Sequence, residues 1–188
     1  LMPVVGARAV VDAADSFLKR SGGNFLSFND ELAAYRSQRG LTSTQLPDVA
    51  TFGLYAYLGS AVQGPSPYMV VEWDGSDPET ENMSHKAPHR LRIYLLLVDH
   101  DMDQPTWENL VGRALEYDAV MRTMFLRSTV PGTYGYTLNN GGTGDASGRI
   151  SRATIETCEI AVDPELNSLN VLMRWGLTVV AIEDWPGT

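Results

Sequence analysis

"RLRIYLLLVDHDMDQPTWENL", Arg90 to Leu110, decides how the chain is read, because it changes period twice. Arg90 to Val98 begins by alternating and ends almost wholly apolar, the pattern of a strand covered on both faces. From Pro105 onward Trp107, Leu110, Val111, Ala114, Met121 and Phe125 return at helical spacing, which predicts a helix from Pro105 to Arg127. Asp118 is the exception on that apolar side. Between strand and helix stand Asp99, His100, Asp101 and Asp103, and these four raise the question of a metal site.

A calcium loop needs carboxylates at alternate positions, a glycine at the sixth and a glutamate at the twelfth. Asp99, Asp101 and Asp103 supply the first three ligands, but Gln104 stands at the turn position and Leu110 at the closing position. A zinc site would recruit His100 with His85 and His89. The last two sit in "HKAPH" with Pro88 beside them, so no helix presents them together, and they read as solvated loop histidines. Asp103 ahead of Pro105 reads instead as a helix cap, accepting N–H bonds at the positive end of the dipole. An enzyme using this acidic turn stays as the alternative, to be separated from a cap by metal analysis of Asp101→Ala.

The rest of the chain follows from this centre. Val10, Ala14, Phe17 and Leu18 predict a first helix over Gly6 to Arg20 that ends at Ser21-Gly22-Gly23. A second begins at Ser27 or Asn29, either of which can cap it, and ends at Gly40. "YMVVEW", Tyr68 to Trp73, predicts a strand. "ISRATIETCEIAVD" and "NSLNVLMRWGLTVVAIEDW" both alternate and are joined by "PELN", which predicts an antiparallel hairpin. Three segments are read as extended loops, 41–67, 74–89 and 128–149. The first contains an aromatic and aliphatic island, "FGLYAYLGSAV", that water does not accommodate well. The expected architecture is a single α+β domain over 1–188, with an antiparallel or mixed sheet of about four strands and helices on one face.

Composition narrows function. At 188 residues and 44% hydrophobic content the chain has the length for one packed domain. A net charge of −9 opposes stable adhesion to nucleic acid, while allowing a polyanion to slide past. One cysteine, Cys158, excludes an internal disulfide and any paired-cysteine metal site, and its alternating context reads as a small buried hydrophobe. No segment has the apolar length of a membrane helix, and the first twenty residues lack the order of a signal peptide, so a soluble chain without export is expected. "NNGGTGDASG", Asn139 to Gly148, lacks the GK[ST] ending of a phosphate loop. No GxSxG elbow is present, and Glu156 and Glu159, three residues apart on a strand, are expected on opposite faces.

The order of elements, carried by "SPYMVVEW", "HRLRIYLLLVDHD", "TWENLVGRALEYDAVMRTMF" and "LNVLMRWGLTVVAIEDW", resembles the tail-terminator proteins of long-tailed bacteriophages and related head–tail joining proteins. The resemblance runs from about Val4 to Trp185 and rests on pattern. The segments 41–67 and 128–149 are larger than a minimal member needs. It implies a structural virion protein of the head–tail junction, assembled in the bacterial cytoplasm, with no enzymatic activity, no cofactor and no metal. The implied assembly is a hexameric ring that caps the tail-tube protein, docks to the head-connector protein and passes genome DNA through its lumen, away from any membrane. The interface residues expected on this reading are Phe52, Leu54, Tyr55, Tyr57 and Leu58 of the apolar island, with Tyr134, Tyr136, Asn139 and Asn140 of the glycine-rich loop. A stand-alone module binding a small ligand is the third class considered.

Overall fold

The computed structural model describes residues 7–19, 26–54, 65–76, 86–98, 106–127, 150–163 and 170–182. Among these residues three helices and five strands occur in the order α1 (Ala7–Lys19), α2 (Phe28–Arg39), β1 (Thr51–Leu54), β2 (Tyr68–Ser76), β3 (Lys86–Val98), α3 (Trp107–Arg127), β4 (Ile150–Asp163) and β5 (Asn170–Ile182). The strands form one mixed sheet in the order β1-β2-β3-β5-β4, parallel only between β1 and β2. The fold is α+β, with β3 and β5 at its centre.

Three helix boundaries have a local cause. Ser27 caps α2 in a reciprocal box: its hydroxyl accepts from the Asp30 amide at 3.1 Å, and the Asp30 carboxylate accepts from the Ser27 amide at 3.0 Å. Gly40, at φ 67°, adopts the left-handed conformation that ends the helix. Asn29, the other capping candidate, clamps Val49 instead, donating to its carbonyl at 3.0 Å and accepting from its amide at 2.9 Å. At α3 the capping side chain is Thr106, whose hydroxyl accepts from the Asn109 amide at 3.2 Å. This corrects the expected cap at Asp103, since the helix starts two residues later than Pro105.

The core lies between the helices and one face of the sheet. Val10, Val11, Phe17 and Leu18 of α1, Phe28 and Leu32 of α2, and Leu110, Tyr117, Met121 and Phe125 of α3 share one apolar cluster with alternate residues of the central strands. In β3 these are Leu91, Ile93, Leu95 and Leu97; in β5 they are Val171, Met173, Trp175, Leu177 and Val179. Helices therefore cover one face, as the sequence suggested.

Three expectations need correction. Among the described residues the sheet has five strands against the about four expected, because Thr51–Leu54, within the segment 41–67 expected as a loop, pairs in parallel with Tyr68–Val71. Its preceding stretch is packed as well: Leu46 and Val49 are buried, Arg36 donates to the Leu46 carbonyl at 2.8 Å, and the Tyr117 hydroxyl donates to the Pro47 carbonyl. The loop 74–89 is shorter than read, because β2 runs on to Ser76 and β3 starts at Lys86. A register shift between Trp73 and Gly75, with Gly75 at φ 130°, hides this extension from a simple alternation count. Finally, His89 is not a solvated loop residue. It sits on β3 at 2% exposure, where its Nδ1 accepts from the Trp73 indole at 3.3 Å.

Candidate functional site

The face of the sheet turned away from the helices carries the charges. On β3 it presents Arg90, Arg92 and Tyr94; on β5, Arg174, Gly176 and Thr178; on β4, Thr157 and Glu159. Arg92 pairs with Asp74 at 2.8 Å, and Arg174 with Glu159 across the β4–β5 ladder. These two pairs, with Arg90, Glu156 and Thr157, line a shallow groove of about 190 Å³ whose floor includes Gly176. Tyr94 is buried beside the ion pairs. Its hydroxyl pKa is raised, first by burial and then by the Glu72 carboxylate, against the opposing hydrogen bond with Arg92. Acids and arginines are matched in this groove and its named pairs are half exposed, so each pair adds little to stability.

Glu156 and Glu159 both line the groove, contrary to the expectation that they would diverge. The cause is a register shift in β4 between Ile155 and Thr157, which inserts one extra residue. It lets Ile155 and Cys158, three apart, both pack against the core, while Glu156, Thr157 and Glu159 are exposed. The groove floor depends on a close approach as well. A Cβ on Gly176 would lie 2.6 Å from the Thr157 hydroxyl oxygen. Gly176→Ala is therefore expected to cost about 1 kcal/mol or more, because the β-branched Thr157 has few rotamers to retreat into. In a Thr157→Ala background the same change should be close to neutral, and a chemical-denaturation double-mutant cycle measures the coupling.

A second polar cluster lies on the helix side. Asp118, the polar residue on the apolar stripe of α3, accepts from the Trp175 indole at 2.9 Å and from Arg122 Nε at 2.8 Å. Burial pushes the Asp118 carboxyl up, but hydrogen bonds from Arg122, Trp175 and the Cys158 thiol outweigh it, and its pKa is lowered overall. Cys158 moves the other way, to about 11, chiefly through burial and then through the neighbouring Asp118. At neutral pH it is a thiol rather than a thiolate, which suits the sequence reading of a small packing residue.

The residues nominated from sequence divide sharply. Phe52 and Leu54 lie on β1, half-buried against the core. Tyr55, Tyr57, Leu58, Tyr134, Tyr136, Asn139 and Asn140 lie outside the described residues, as do Asp99, His100, Asp101, Asp103 and His85. Among the described residues no group of three or more His, Cys, Asp or Glu side chains is placed to hold a metal ion. No helix of the described residues is long and apolar enough to cross a membrane. Sequence reading passed over Arg90, Arg92 and Arg174, whose only sequence signal is their outward position on two predicted strands.

No family model matches the chain, and no curated protein matches it.

Proposed function

We propose that this protein is a structural, ring-forming component of a phage head–tail junction. What supports the reading most is the inequality of the two flanks of the sheet. One ends in the short parallel strand β1, the other in the 14-residue strand β4 of a long hairpin. A closed ring of identical subunits needs two different, mutually complementary surfaces on every chain, and a sheet with unlike flanks supplies them. The element order, two helices, strands, a helix and a terminal hairpin, agrees with the tail-terminator pattern that the sequence resembles. The net charge of −9 suits a lumen that DNA traverses without sticking.

Native mass spectrometry of the purified chain, joined to symmetry analysis of the assembled particle, tests this. A closed cyclic oligomer is expected, with the hexamer as the specific expectation. A chain that is strictly monomeric alone and absent from any symmetric ring in the particle would refute the proposal.

A further inference from the structure

Resting on the ring reading, the directions and side chains of the two outer strands indicate how neighbours meet. We infer that the second half of β4, Thr157–Asp163, pairs in antiparallel fashion with β1, Thr51–Leu54, of the next copy, so that the sheets of adjacent subunits join edge to edge.

Strand direction comes first. β2, β3, β5 and β4 alternate in direction, and β1 runs with β2, so β4 and β1 point in opposite senses. In a cyclic array whose axis follows the strands, directions are preserved from copy to copy, and β4 meets the neighbour's β1 antiparallel. Antiparallel pairing is the slightly stronger ladder per residue.

The second observation concerns which part of β4 can accept a partner. Its register with β5 is broken between Ile150 and Arg152 and again between Ile155 and Thr157. Bulges of this kind twist an edge away from further pairing. From Thr157↔Gly176 to Asp163↔Asn170 the register is continuous, so this half is the flat one. Among the described residues it has one ladder neighbour, β5, since β4 ends the sheet.

Side chains agree with the match. On the helix side, Cys158 and Ile160 are half-buried and Val162 is 46% exposed, an apolar row whose far end is bare. On the same side β1 presents Phe52 and Leu54, and β1 carries no charge that would oppose Glu159. β1 has four residues, so this ladder sets register and direction within an interface that needs further contacts to reach the roughly 800 Å² per partner of a stable complex.

Two measurements on the full chain decide the matter. In a Cys158→Ser background, Gly53→Cys and Ala161→Cys are combined and treated with a short bis-maleimide. A ladder of covalent species ending at the ring size is expected. Val162→Lys, which places a charge at the bare end of the row, should weaken association roughly tenfold or more while circular dichroism and melting stay unchanged. Leu115→Lys, on the 56% exposed surface of α3, should leave association as it was. Covalent dimers from Ala161→Cys alone would mean that β4 pairs with its own copy and would overturn the inference. A ring that forms without the ladder, or that tolerates Val162→Lys, overturns the strand pairing and leaves the ring reading standing. A parent chain that is strictly monomeric alone and absent from any symmetric ring in the particle refutes both.

Discussion

Trp175→Ala is expected to lower the unfolding free energy by roughly 3–5 kcal/mol, the range for deleting a fully buried large aromatic side chain. Trp175 has no exposed surface and sits on the central strand β5, paired with Ile93 on one side and Cys158 on the other. Two costs combine: a cavity in the middle of the core, and loss of the indole that donates to Asp118. Because a domain's whole stability is about 5–15 kcal/mol, the variant should melt far below the parent or fail to accumulate as folded protein. Trp175→Phe retains most of the volume and separates the two costs. Equilibrium denaturation of both variants should give the larger loss to alanine, with phenylalanine reporting mainly the missing hydrogen bond.

Asp118→Ala has the second largest expected effect, about 2–3 kcal/mol at neutral pH. The carboxylate is only 18% exposed and gathers donors from both sides, so its removal strands the buried Trp175 N–H and leaves Arg122 without its partner. Asp118→Asn should cost less, since an amide oxygen can still accept from the indole. The pH dependence follows from the direction of the shift. Asp118 has a lower pKa in the folded chain than an ordinary carboxylate. Its contribution is therefore fully present above the unfolded value of about 4 and is lost as pH falls through the lower folded value. The stability gap between the parent and Asp118→Asn should narrow below about pH 4 and hold steady from there to neutrality. A gap that widened in acid would contradict the assignment of Asp118 as a hydrogen-bonded carboxylate.

These two residues also show where sequence reading reaches. Asp118 was legible as an anomaly, the one charge on an apolar helical stripe, but its partner lies 57 residues away on another element and no local pattern connects them. The groove residues were less visible still. Arg90, Arg92 and Arg174 are ordinary outward-facing strand positions, and they become neighbours only because β3 and β5 are paired in a register that sets Arg92 against Gly176. Strict period-two alternation puts Glu156 and Glu159 on opposite faces, and one inserted residue in β4 is enough to reverse this.

What the amino-acid sequence determines by itself is seven of the eight elements and the buried sides of the strongly periodic ones. Apolar spacing marks α1, α3, β3 and β5, and capping chemistry at Ser27 and Gly40 bounds α2, because each of these depends on residues within a few positions of one another. Tertiary structure alone decides the rest. Thr51–Leu54 is a strand only because β2 offers it a parallel edge, His89 is buried only because β2 extends past its bulge, and β4 and β1 become the two unlike flanks only once the sheet order is set. Those outcomes come from long-range backbone pairing, whose register and direction have no signature in any short stretch of sequence.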